Sequence, residues 1–227
     1  MNNSESIKIN ALYECTVGYL TAFVGRFEYP WELVGEIKAY AEELVNKGID
    51  GFYRLSEGVL VGEQVTIAPS ATIIGPAVIG NRCEIRPGAY IRGGVITGDD
   101  CVIGNSSELK NCIILNSVAL PHYNYVGDSF LGNRVHLGAG SICSNLKGDG
   151  SSVVIRGEGI EIDSGLRKLG ACLGDSVDVG SGCVLNPGTV VGKGSTVYPL
   201  TATRGVYPPQ SIIKSLHNVT AVPRRED

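Results

Sequence analysis

An all-β fold, the parallel β-helix, is what this sequence predicts, and three observations predict it. An aliphatic residue returns every six positions at Val61, Ile67, Ile73, Ile79, Ile85, Ile91, Ile103 and Leu109, with Thr97 the one interruption. Four places after each runs a second row of small or medium residues: Val65, Ala71, Ala77, Cys83, Ala89, Val95, Cys101 and Ser107. The beat then comes back at Leu173, Val179, Leu185, Val191 and Val197. A period of six is neither a helical face nor simple strand alternation. It suits coils of three short flat strands, each turning one aliphatic side chain inward, with a small residue where the chain bends.

Residues 1–55 lack the six-residue beat. Pro30-Trp31 opens an amphipathic helix with Leu33, Val34, Ile37, Tyr40, Ala41, Leu44 and Val45 on one face and Gly48 at its stop. Ala11–Phe23 is a weaker second helix, because it carries Thr and Gly. Terminal units of a repeat stack are atypical, so this segment is expected to cap the open end and cover its strand edges. An oligomerisation or partner surface is the other reading. The β-helix itself is expected over residues 56–205.

The beat slips after Lys110 and resumes through Leu131 and Leu137, and the gap holds Leu120–Asp128, LPHYNYVGD. A polar aromatic cluster on the one departure from a rigid frame is where a site is expected. Farther on, a turn-rich Lys147–Gly150 leads into a hairpin around Gly157-Glu158-Gly159, expected near 148–166 and projecting from the stack. Arg167 and Lys168 then lead back to the coils. Thr201 onward leaves the repeat, and residues 206–227 read as a tail with a charged end.

The 227 residues can bury one full core, and 31 glycines suit a backbone that turns every few residues. A net charge of −4 argues against a general nucleic-acid or membrane-surface binder. The seven cysteines include no C-x-x-C pair and are odd in number. Cys83, Cys101 and Cys183 fall on the small-residue row, where a free thiol acts as a compact hydrophobe. All seven read as reduced structural residues of a cytoplasmic protein. No targeting signal or membrane-spanning run is visible, so the expectation is a chain neither exported nor anchored.

The inward row is buried, so chemistry falls to corners and outward faces. His122, flanked by Pro121 and two tyrosines in the one gap of the repeat, is a candidate functional residue. Arg86, Arg92 and Lys110 are candidate anchors for an anion such as a phosphate. Arg92 and Lys110 lie one 18-residue coil apart and are expected to stack into a short basic column. Glu108 stands two residues before Lys110, and Asn145 closes the segment after Leu137-Gly138-Ala139-Gly140. His122, His136 and His217 lack the spacing of a zinc triad, so no metal is expected.

The segment HYNYVGDSFLGNRVHLGAGSICSN resembles the acetyltransferase half of the bacterial bifunctional N-acetylglucosamine-1-phosphate uridyltransferase/glucosamine-1-phosphate acetyltransferase. It resembles still more the archaeal sugar-1-phosphate nucleotidylyltransferase/acetyltransferases, with their later RKLGAxxGD stretch, here Arg167–Asp175. The match covers about Arg86–Thr203. It implies a left-handed parallel β-helix, a homotrimer and acetyl-CoA as co-substrate for N-acetylation of a hexosamine 1-phosphate, with no metal. It implies His122 as the base that takes a proton from an attacking amine, with Glu108 to orient its imidazole and the Ala139–Asn145 turn, Asn145 included, to offer donors to the oxyanion. Arg86 or Arg92, Lys110, Tyr125, His136 and Lys168 are then the substrate contacts. Ala139, Gly140, Ser181 and Lys214 are the cofactor contacts. One departure stands out: His136 occupies the place of the family's sugar-contacting Asn. Two alternatives are a non-enzymatic trimeric partner of a nucleotidyltransferase and nucleotidyl transfer itself. The latter needs a Gly-rich nucleotide-binding domain that residues 1–55 do not supply.

Overall fold

The computed structural model describes residues 3–215, and the expectations for His217 and for the charged end lie outside them. From Val59 onward the chain winds into a parallel β-helix of about nine turns. Its strands form three ladders. The first climbs through Val59–Val61, Ala77–Ile79 and Val95–Thr97 to Thr189–Val191, and the second through Thr66–Ile67, Glu84–Ile85 and Val102–Asn105 to Ile212–Ile213. The third runs from Thr72–Ile74 and Tyr90–Arg92 through Ile142–Cys143 to Ala202–Thr203. The six-residue rows pack inward as expected, with Ile79, Ile85, Ile91, Thr97, Ile103 and Leu109 all essentially inaccessible. Each fully buried aliphatic side chain is worth about 1.5–3 kcal/mol of transfer free energy.

The slip after Lys110 has a definite form. Ile91 pairs with Leu109, 18 residues on, whereas Thr97 pairs with Ile114 and Ile114 with Leu131, steps of 17. One hexad of each coil is therefore five residues long, between Leu109 and Ile114 and again between Val126 and Leu131. Glu108–Ile114 and Tyr125–Leu131 consequently run unbroken from the third ladder into the first. Asn111 and Asp128 sit at these two short steps with φ of 47° and 48°. Asn and Asp tolerate this left-handed conformation better than other residues with a β-carbon.

The first ladder also turns apolar side chains outward: Leu60, Val78, Ile96, Ile113, Phe130, Cys172 and Val190 are all buried. What covers them is the N-terminal segment, with α1 (Ile9–Leu12), α2 (Gly18–Val24), α3 (Pro30–Val34) and α4 (Ile37–Lys47). The segment expected as an end cap thus lies along a side of the stack, because that side carries the apolar stripe. Tyr13 stacks on Phe130 with ring centroids 4.0 Å apart, and its hydroxyl donates to the Phe130 carbonyl at 3.2 Å. The long expected helix is broken at Gly35 into α3 and α4, and Gly48 ends α4. The hairpin forms from Val154–Gly157 and Ile160–Asp163. It lies against the same side rather than projecting, since Val153, Ile155 and Ile160 are buried in that cover. The coils also outlast the expected boundary at 205: Val206–Tyr207 and Ile212–Ile213 continue the ladders. Among the described residues no helix is long and apolar enough to cross a membrane.

Candidate functional site

The covered side leaves the second and third ladders facing outward, and the site residues divide between the two edges of the third. One edge is the corner after Ala119–His122, where the second ladder gives way to the third. Gly104 lies beneath Pro121 there, and a β-carbon on it would stand 1.7 Å from the Pro121 carbonyl oxygen, so only glycine lets the coils meet. His122 is exposed on this edge. Its backbone N–H donates to Asn124 Oδ1 at 3.2 Å, and its carbonyl accepts from Gly140 N–H at 3.0 Å. Ala139 and Gly140 therefore sit on the coil directly above the imidazole-bearing residue. Ser181 continues the edge upward, since Gly182 N–H bonds the Ala139 carbonyl at 2.9 Å. Lys214, exposed, follows Ile213 at the top of the second ladder. Arg86 lies two coils below on the same edge and is paired with Glu84 at 3.0 Å.

The other group occupies the third ladder and its far edge. Arg92 and Lys110 do fall in one column, as the spacing predicts, but each already has a carboxylate. Arg92 meets Glu108 at 2.6 Å and Lys110 meets Asp128 at 3.3 Å. The column is thus charge-compensated rather than basic. Glu108, expected to orient an imidazole, is held by the guanidinium of the coil below. That pair is substantially exposed and screened by solvent, so an incoming anion can displace it at little cost. Tyr125 lies above Glu108 in register. Burial, and then the Asp128 and Glu108 carboxylates, push its phenol up, so it remains a hydrogen-bond donor at neutral pH. Its hydroxyl lies beside Asn145. A β-carbon on Gly127 would stand 2.5 Å from the Tyr125 hydroxyl oxygen and 2.8 Å from Asn145 Nδ2. Glycine there is what lets the two side chains close over the strand.

Sequence reasoning missed Asp128, the last residue of the LPHYNYVGD stretch. Its side chain is 7% exposed, and the signal available in the sequence was an acidic residue placed at the break of an otherwise aliphatic repeat. Beside it lies a cavity of about 380 Å³, lined by Val34, Gly35, Asn111, Asp128, Leu166, Arg167 and Lys168. Lys168 thus reaches the third-ladder group through the segment returning from the hairpin, and Leu169 N–H bonds the Asn145 carbonyl at 3.0 Å. Neither Arg167 nor Lys168 has an ion-pair partner among the described residues. His136 stands apart, on the second ladder, with its Nδ1 2.7 Å from Asp178 Oδ1. In the Ala139–Asn145 turn, the N–H groups of Gly140, Ser141, Ile142 and Ser144 are all donated within the fold. The Asn145 side-chain amide donates to Asp128 Oδ2 and lies beside the Tyr125 hydroxyl.

Residues 73–170 match the GMPPB C-terminal domain. That stretch holds both edges just described, apart from Ser181 and Lys214. The chain is 33% identical over 172 residues to the bifunctional protein GlmU of Methanococcus maripaludis, covering 74% of this chain and 42% of that protein. It is 39% identical over 97 residues to the bifunctional sugar-1-phosphate nucleotidylyltransferase/acetyltransferase of Sulfurisphaera tokodaii, covering 43% of this chain and 24% of the relative. The chain therefore spans less than half the length of either. Among solved structures, a point mutant of the N-acyltransferase AntD from Bacillus cereus is 17% identical, with a TM-score of 0.42 over 78% of this chain and 93% of that one.

Proposed function

We propose that this chain is an acetyl-CoA-dependent N-acetyltransferase acting on a hexosamine 1-phosphate, with sites completed between the copies of a homotrimer. The observation that carries the reading is the stacking of His122 directly beneath Ala139–Gly140, with Ser181 above on one exposed edge. This supports His122 as the base, since the resemblance assigns the Ala139–Gly140 backbone to acetyl-CoA. The names of the two relatives that match this stretch, one of them an acetyltransferase, support it.

In the proposed reaction the unprotonated amine of the sugar attacks the thioester carbonyl. The carbonyl electron pair moves to oxygen, His122 takes the proton lost by nitrogen, and collapse of the intermediate expels the CoA thiolate, which is then protonated. No covalent enzyme intermediate is needed. The second N–H of the Asn145 amide is the side-chain donor for the oxyanion. The phosphate displaces Glu108 from Arg92 and draws on Lys110 and Lys168. Arg86 and His122 share one edge, whereas Lys110 and Asn145 lie at the other. Six residues of extended chain, up to about 20 Å, separate His122 from Asp128 along the coil. A pocket using both groups is closed by a neighbouring copy, and the exposed apolar side chains of Tyr90, Ile142, Val184 and Tyr198 suit such burial.

The test is CoA thiol release with acetyl-CoA and either glucosamine 1-phosphate or galactosamine 1-phosphate. His122→Ala is expected to cost about 10²–10⁴-fold in kcat. Mixing His122→Ala with Lys110→Ala, unfolding and reassembling, is expected to restore part of the activity, because some sites then inherit both native edges. No release with either sugar from the wild type would favour the non-enzymatic partner reading, and full activity of His122→Ala would remove the proposed base.

A further inference from the structure

Asp128 brings three side-chain donors onto one carboxylate. Its Oδ2 accepts from Lys110 Nζ at 3.3 Å and from the Asn145 side-chain amide. Its Oδ1 accepts from Asn111 Nδ2 at 2.9 Å. Asn111 Nδ2 also donates to the Val34 carbonyl at 3.1 Å, the last residue of α3. One buried carboxylate therefore ties the proposed phosphate anchor to the proposed oxyanion donor, and through Asn111 fixes both to the helical cover.

The corner itself does not ask for a charge. One coil below, Asn111 occupies the equivalent short step at nearly the same φ, 47° against 48°. An amide thus serves the left-handed turn as well as a carboxylate does. Burying a carboxylate is costly unless it is paired and hydrogen-bonded. A charge kept where a neutral residue of the same shape would fold calls for a reason, and the converging donors supply it. Ionised, Asp128 offers only acceptors, so Lys110 Nζ and the Asn145 N–H are both held toward it and the Asn145 carbonyl oxygen is turned away. An asparagine in its place would present an NH₂ to one of those donors and release it.

We infer that Asp128 is a positioning residue of the proposed acyl transfer, orienting Lys110 for the sugar phosphate and the Asn145 amide for the oxyanion, with the N-terminal helices as its support. The inference rests on the proposed function for its kinetic arm and on side-chain geometry for its other arm. Asp128→Asn is expected to fold, as judged by circular dichroism. The KM for hexosamine 1-phosphate should rise about tenfold and kcat should fall about tenfold, while the KM for acetyl-CoA stays within twofold. A merely structural role would reduce the folded fraction and move neither KM. Asn111→Ala, which cuts the tie to Val34, should shift the sugar-phosphate KM in the same direction by a smaller factor. The second arm is the side-chain amide signal of Asn145 in a ¹⁵N-labelled sample, assigned by its loss in Asn145→Ala. Removing the carboxylate should move that signal upfield. Sugar-phosphate KM and kcat both within twofold of wild type would overturn the assignment. Should the wild type acetylate neither sugar, the proposed function fails and the amide signal decides alone: an unmoved signal ends the inference and a shifted one sustains the positioning.

Discussion

Gly127→Ala probes the third-ladder group without removing any polar atom from it. The backbone there is not left-handed, so alanine adds no strain of its own, and less chain entropy in the unfolded state favours folding by about 0.4–1 kcal/mol. The added methyl would lie 2.5 Å from the Tyr125 hydroxyl oxygen, and ordinary contact begins at 3.4 Å. The phenol must therefore retreat by about 0.9 Å, and Asn145 Nδ2, at 2.8 Å, by about 0.6 Å. Both are ends of side chains, so the fold absorbs the change by rotation at roughly 0.5–1.5 kcal/mol for an off-rotamer torsion. Stability should consequently move by no more than about 1 kcal/mol. Activity should not be spared, because a displacement near 1 Å in a reacting constellation costs on the order of 10²-fold. The assay is CoA release at saturating acetyl-CoA over a range of hexosamine 1-phosphate, alongside a thermal melt of the same sample. A variant with unchanged Tm and kcat/KM within threefold of wild type would refute the reasoning. It would mean that Tyr125 and Asn145 can both be displaced without consequence, and the site would have to be sought elsewhere.

Two further outcomes follow from the cover and the core. Phe130→Ala removes a fully buried ring stacked 4.0 Å from Tyr13. About 3–5 kcal/mol should be lost, or roughly 6–20 °C in Tm for a chain of this size, with hydrogen exchange rising first in α1 and α2. A Tm within 2 °C of wild type would show that the helices do not depend on that contact. Burial pushes the Cys143 and Cys172 thiols up to about 12. The folded value lies above the unfolded value of about 8.5, so the protonated thiols support the fold in full below pH 8.5 and that support is lost as pH climbs toward 12. The loss is about 2 kcal/mol per thiol by pH 10. Melts between pH 8 and 10 should therefore fall more steeply for wild type than for Cys143→Ala/Cys172→Ala, and equal slopes would rule the effect out.

The inward side of this fold was legible because one physical demand repeats: a residue that is nearly always aliphatic, every six positions, in a narrow buried coil. That demand alone puts Ile79, Ile85 and Ile91 in their places. The outward side obeys no period, and there reading failed in informative ways. The stripe Leu60, Val78, Ile96, Ile113 and Phe130 also recurs at coil spacing, but one residue from the inward row it is lost among other aliphatics. The N-terminal helices therefore read as an end cap and not as a side cover. The hairpin looked free for the same reason, since the surface that receives it is invisible without the cover. The last coils were missed because their spacing shrinks to 16 residues, Val191 pairing with Tyr207 and Val197 with Ile213.

The site illustrates the converse. His122, Ala139, Gly140 and Ser181 were brought to one edge by register alone, because parallel coils stack what their numbering separates. Glu108, Arg92 and Lys110 were placed on one ladder by the same arithmetic, yet their partners were not, since side-chain pairing depends on which carboxylate each cation meets across the coil. The decisive departure is the loss of one residue from one hexad in each of two successive coils. A coil with full hexads keeps its corner residues out of the straight strand. Shortening the step lets Glu108–Ile114 and Tyr125–Leu131 run on through the corner. It also turns the Asn111 and Asp128 side chains toward one another and toward α3. A deletion that would be a packing fault in a uniform stack thereby assembles a buried carboxylate among donors, at the one corner where the helical cover, the returning hairpin and the open ladder meet. The break in the repeat is therefore the feature to alter: inserting one residue after Lys110 and one after Gly127 should restore 18-residue coils, keep the inward row, and separate Lys110 and Asn145 from their common partner.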